Sequence, residues 1–192
     1  TLDFASVSNV QDVSQVVDGR WILQNGALRS IEPWYDRLVA IGDVTWKDYE
    51  VTATITTHSF DPAGYAPPSY GAAVGLVVRW QGHGVWDNSQ PSWGYWPAGA
   101  IASYQWQPGG TERVALIGNR DNQYSFDNSA PALQYGVPYV FKLRSQTQAD
   151  GQHLYQFKMW LSGQPEPSGW QHQILNGNLP QDPTHGSVLL FA

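Results

Sequence analysis

Apolar and polar residues alternate along several stretches of this 192-residue chain. Tyr49, Val51, Ala53 and Ile55 interleave with Glu50, Thr52, Thr54 and Thr56, the period of two expected for a strand with one buried face. Residues 72–80 repeat the pattern, with Val74, Leu76 and Val78 on one side and Gly75, Val77 and Arg79 on the other. In 137–145, Tyr139, Phe141 and Leu143 face inward and Val140, Lys142 and Arg144 outward. In 153–161, Tyr155, Phe157, Met159 and Leu161 oppose Gln156, Lys158 and Trp160. Shorter apolar runs at 38–41, 100–106, 113–117 and 188–191 add strands. Turn chemistry separates them: Asn25-Gly26 between WILQ and ALRS is a hairpin signal, and Asp18-Gly19, Pro108-Gly109-Gly110 and Asp150-Gly151 mark further turns. Residues 61–71, 82–97, 118–136 and 163–184 have the Gly, Pro, Asn and Ser content of connections. The count is roughly nine to eleven short strands with no amphipathic helix, which predicts one all-β domain over 1–192, a two-sheet antiparallel sandwich or jelly roll. The last strand opens at Val188 and the sequence stops at Ala192. That predicts a sandwich whose closing strand is missing or supplied otherwise, leaving a sheet edge for a partner chain.

One connection stands apart. Residues 79–106 hold Trp80, Trp86, Trp93, Trp96 and Trp106, five of the ten tryptophans. Long loops without regular structure are usually functional or disordered, and disordered segments are poor in aromatics. Indoles on such a loop either plug the core or stand outside it to bind a ligand, and the expectation here is binding. Composition points the same way. Charged residues make up only 14% and aromatics 14%, with 10 Trp, 10 Tyr and 6 Phe. Aromatic rings on a weakly charged surface suit the flat C–H faces of sugars, although strands also favour aromatics. A net charge of -6 argues against nonspecific nucleic-acid binding. The absence of cysteine removes disulfides, thiol catalysis and cysteine-ligated metals. No run is long enough to span a bilayer as a helix, so no membrane partner is expected.

The segments GRWILQNGALRS, YDRLVAIGDVTWKDYEVTATITTHS, GLVVRWQGH and GSVLLFA resemble the concanavalin A-like jelly rolls, in particular the laminin-G-like and carbohydrate-binding domains of bacterial extracellular proteins. The resemblance implies a two-sheet sandwich with one concave face, often a glycan site, in a secreted or cell-surface protein. It also implies, in some members, a structural calcium, for which Asp3, Asp36, Asp43, Asp121 and Asp127 carry the oxygen ligands that a hard cation takes. No cofactor is required by anything else in the chain.

Two catalytic constellations compete with this reading. Asp48 and Glu50 stand two apart, as in the Glu-x-Asp-x-Glu strand of related glucanases, but the third carboxylate is absent and their neighbours Thr52, Thr54 and Thr56 suit a solvated face. Arg79, His83 and Tyr104 offer the cation and base of a polysaccharide lyase, without the motifs of that class. No HExxH or GxSxG motif occurs. The outward positions Arg79, Lys142, Arg144 and Lys158, with Trp160, form the expected binding face, joined by His83, Trp86, Trp93, Tyr95, Trp96 and Tyr104. A basic and aromatic face in an acidic protein predicts noncatalytic binding of a glycan, acidic or sulfated, by charge-assisted hydrogen bonds and stacking. A carbohydrate-active enzyme on the same fold and an assembly domain that docks another chain are the alternatives, since Trp and Tyr also make protein hot spots.

Overall fold

The computed structural model describes residues 1–32, 37–59, 72–82, 97–107, 111–119, 123–130, 132–176 and 182–192. Two single-turn 3-10 segments, Phe4–Ser6 and Val10–Asp12, precede thirteen strands. These are β1 (Gln15–Asp18), β2 (Trp21–Gln24), β3 (Ala27–Ser30), β4 (Leu38–Ile41), β5 (Tyr49–Thr56), β6 (Ala73–Trp80) and β7 (Ala100–Trp106). They continue with β8 (Glu112–Gly118), β9 (Tyr124–Asp127), β10 (Pro138–Thr147), β11 (His153–Leu161), β12 (His172–Asn176) and β13 (Ser187–Phe191). Among the described residues there is no α-helix. The strands form a seven-stranded sheet in the order β1-β4-β13-β6-β7-β8-β9, a four-stranded sheet in the order β12-β11-β10-β5, and the β2-β3 hairpin.

The hairpin turns on Asn25 and Gly26, with φ of 53° and 74°, the two positive angles that a two-residue primed turn requires. Every paired strand runs antiparallel. The alternation in the sequence sorts side chains between two cores. Leu76, Val78, Ala102, Tyr104, Leu116, Phe141, Leu143, Tyr155 and Phe157 meet between the two sheets. The residues of opposite parity on the larger sheet, among them Leu38, Val77, Ile101, Leu189 and Phe191, form a second cluster on its other face.

One strand breaks its own parity. Ser187 pairs with Trp80 and Leu189 with Val77, so Val78 and Arg79 together oppose Val188, a β-bulge. Arg79 takes a φ of 56°, the left-handed region. Two successive side chains therefore point inward: Val78 joins the central core, Arg79 follows it, and Trp80 returns to the second cluster. This corrects the strict alternation that put Arg79 outside.

The expectation of an open terminal edge is also corrected. β13 lies inside the larger sheet, bonded to β4 on one side and β6 on the other. Ala192 continues the ladder through mutual backbone bonds with Arg37, at 3.0 and 3.1 Å. The described sheet edges are β1 and β9 in the larger sheet and β5 and β12 in the smaller one.

Candidate functional site

The outward face of the four-stranded sheet collects chemistry in cross-strand rows. Glu50, Arg144, Gln156 and Gln173 are register partners across β5, β10, β11 and β12. The next row is Thr52, Lys142 and Lys158, and the third is Thr54, Val140 and Trp160. Lys142 and Lys158 face each other directly, a like-charge pairing that is destabilising by itself. The irregular connection between β11 and β12 resolves it. Glu166, within that connection, bridges Lys142 at 2.9 Å and Lys158 at 2.7 Å. Glu50 bridges Lys142 and Arg144, each at 3.2 Å.

The same connection lies across the face. Lys158 donates to the Pro167 carbonyl at 2.6 Å. The Trp170 ring sits over the Lys158 ammonium at 4.8 Å and the Arg144 guanidinium at 5.6 Å, both within cation–π range. Gln171 fastens the far end, accepting from the Met159 backbone N–H at 2.8 Å and donating to its carbonyl at 3.0 Å. The Lys158 side chain is 6% exposed while Glu166 remains 45% exposed. The Glu166 carboxyl is held below its ordinary pKa, first by the Lys158 hydrogen bond and then by that of Lys142. The Lys142 ammonium is raised above its ordinary pKa, first by the Glu166 hydrogen bond, which with Glu50 outweighs partial burial. The result is three cations and two carboxylates interleaved with the amides of Gln156 and Gln173, and Trp160 beside them.

Of the residues expected at a binding site, Lys142, Arg144, Lys158 and Trp160 come together on this face. Arg79 and Tyr104 do not. Arg79 is fully buried in the other sheet. Its guanidinium donates to Asp48 at 2.9 Å, Thr147 Oγ1 at 2.9 Å, the Lys47 carbonyl at 3.1 Å and Ser145 Oγ at 3.2 Å. Tyr104 is fully buried in the central core, where its hydroxyl donates to Glu112 and accepts from the Leu133 backbone N–H. Burial pushes that phenol well above its ordinary pKa, and its two bonds tie β7 to Glu112 and to the Leu133 backbone. His83, Trp86, Trp93, Tyr95 and Trp96 lie outside the described residues.

Asp48 and Glu50 have separate partners. Asp48 is held by Arg79 and by the Thr147 backbone N–H and hydroxyl, whereas Glu50 is held by Lys142 and Arg144. Glu166 and Trp170 carry no mark in the sequence reading, and Glu50 enters it only as half of a carboxylate pair with Asp48. Glu50 carried a signal, since a lone acid in a row of threonines on a strand marks a cross-strand cation. Glu166 and Trp170 sit in an irregular connection, where no period aims a side chain.

Three of the five expected calcium ligands are described, and they stand apart from one another. Asp3, Asp43 and Asp127 each accept a backbone N–H two residues on, from Ala5, Thr45 and Ser129, on three separate elements. Among the described residues no group of three or more His, Asp or Glu is placed to hold a metal. Asp36 and Asp121 lie outside the described residues.

A second aromatic surface lies on the outward side of β9. Tyr124 is 63% exposed and stacks on Phe126 with centroids 4.8 Å apart. The Arg113 guanidinium covers Phe126 at 4.1 Å and also donates to Gln105.

The two packed antiparallel sheets, with β13 inside the larger one, define a jelly-roll β-sandwich. Among solved structures, the chain is similar to the crystal structure of the Emp47p carbohydrate recognition domain. The match has a TM-score of 0.50 and 9% sequence identity, and covers 98% of this chain and 82% of that one. At that identity the likeness defines the fold. No family model matches the sequence, and no curated protein matches it.

Proposed function

We propose that this domain binds carbohydrate, without catalysis, on the outward face of its four-stranded sheet, as part of a secreted or cell-surface protein. The observation that carries the reading is the array bounded by Trp160 and Trp170: donors and acceptors alternate across three strands beside two indoles. Sugar hydroxyls both donate and accept, so the Lys142 ammonium, the Arg144 guanidinium, the Glu50 carboxylate and the Gln173 amide, on neighbouring strands, can each meet one. Indole faces meet the C–H faces of the ring. The fold shared with a carbohydrate recognition domain agrees with this reading by analogy.

The electrostatics do not favour Glu166 as the general acid of a glycoside hydrolysis at this face. A general acid needs a raised pKa, as a carboxyl in an apolar pocket has. The Glu166 carboxyl is lowered instead, by two lysines.

Glycan-array screening followed by calorimetry tests the proposal. Trp170→Ala should weaken the best glycan about tenfold, equal to 1.4 kcal/mol, with melting temperature nearly unchanged. Tyr124→Ala, on the other sheet, should bind as the native protein does. Undiminished binding by both Trp160→Ala and Trp170→Ala, or loss on Tyr124→Ala alone, would place the site elsewhere. A native protein that binds no glycan on the array would end the reading.

A further inference from the structure

The geometry points to Glu166 as an internal stand-in for the carboxylate of a uronic-acid sugar, which displaces it from a cation pocket formed by Lys142, Lys158 and Arg144. The inference rests on the carbohydrate reading above and deepens it by naming the class of sugar.

Three observations carry it. First, the pocket is built before any ligand arrives. Lys142 and Lys158 are opposed in register, and one carboxylate sits between them at 2.9 and 2.7 Å. Carboxylate bound by two ammonium groups is the arrangement that a uronate would need. Second, the two carboxylates of the face are unequal. Glu50 belongs to strand β5 and is fixed by the register that puts it opposite Arg144. Glu166 belongs to an irregular segment between Pro165 and Pro167, so at similar exposure (45% against 38% for Glu50) it is the one that no strand register fixes. Third, the segment that carries Glu166 has anchors of its own. Gln171 holds the Met159 backbone at both its N–H and its carbonyl, Ser162 N–H bonds the Pro138 carbonyl at 3.0 Å, and Lys158 bonds the Pro167 carbonyl. The Glu166 side chain can therefore rotate into solvent while the segment stays in place. When it does, three cations face one carboxylate, and Lys158 has lost the only carboxylate drawn to it among the described residues.

An intramolecular carboxylate lowers apparent affinity by the fraction of time for which it fills the pocket. Removing its charge should therefore raise affinity for an acidic sugar and leave neutral sugars alone. The measurement compares native protein and Glu166→Gln by calorimetry at low ionic strength. The probes are polygalacturonate, alginate and hyaluronate, with methyl-esterified polygalacturonate as a neutral counterpart and poly-L-glutamate as a carboxylate polymer without sugar. Glu166→Gln should bind at least one uronate about three- to tenfold more tightly than native protein. The ester should be unaffected, and added salt should erase the gain. Lys158→Met in the Glu166→Gln background should remove the gain, with melting temperature recorded for each variant.

Equal uronate affinity in native and Glu166→Gln proteins would overturn the inference and reduce Glu166 to a strut of the fold. So would an equal gain for poly-L-glutamate, or a gain that survives Lys158→Met. If uronates fail to respond while neutral glycans still bind in a Trp170-dependent way, the carbohydrate reading stands and this one falls. If no glycan of either kind binds, both fall.

Discussion

Arg79 shows how one backbone angle redirects a side chain. A left-handed conformation costs a non-glycine residue about 1–2 kcal/mol. The bulge in β6 imposes that angle, and the inward guanidinium then finds an acid, three hydroxyls (Ser145, Thr147 and Tyr155) and a carbonyl beside the central core. Losing those bonds would leave Asp48, Ser145 and Thr147 without their shared donor. Arg79→Met should therefore lower stability by about 3 kcal/mol in urea or thermal melts. Arg79→Lys should recover little of it, because an ammonium cannot match the planar fork of donors. A native-like melting temperature for Arg79→Met would mean that the cluster is dispensable. The sequence could not place this residue. Its parity in the LVVRW run assigns it to the outer face, and only a register slip against a distant strand reverses that.

At the scale of elements, the β5, β10 and β11 alternations were legible because each strand has one face on the core and one on solvent. The outward set Lys142, Arg144, Lys158 and Trp160 emerged from that period alone. The strands Tyr124–Asp127 and His172–Asn176 were read as parts of loops, being short and bounded by Gly, Pro and Asn. The connection from β11 to β12 was opaque for a different reason. Its contribution depends on tertiary contacts of Glu166, Trp170 and Gln171, none of which a local pattern encodes. Gln171 is the most testable of these. Gln171→Ala removes two hydrogen bonds to the Met159 backbone, and about 1–2 kcal/mol of stability should go with them. Glycan affinity should fall too, since Trp170 is the adjacent residue and its position over Lys158 depends on that anchor. A variant with lowered melting temperature but native affinity would show that Trp170 is held by its own contacts.

For the whole molecule, the layered architecture was legible in the sequence, whereas the place of the GSVLLFA strand within it was not. The terminal run GSVLLFA looked like the start of an unfinished edge, because a strand's place in a sheet is not written in its own residues. β13 instead sits between β4 and β6, which have no hydrogen-bonded contact with each other. A chain cut after residue 186 should consequently fail to reach the native state, and limited thermolysin digestion should degrade it at doses that leave the 192-residue chain intact. Resistance in the shortened chain would show that the larger sheet can close without its central member.

That placement also sets a direction in time. A ribosome releases β4 and β6 long before Ser187–Phe191 leaves the exit tunnel, and until then each presents an unpaired edge to whatever chaperone, neighbour or nascent copy is near. The smaller sheet, whose four strands are synthesised before β13, can form its ladder first, so assembly on the ribosome would run from the proposed sugar-binding layer outward to a seam that waits for β13.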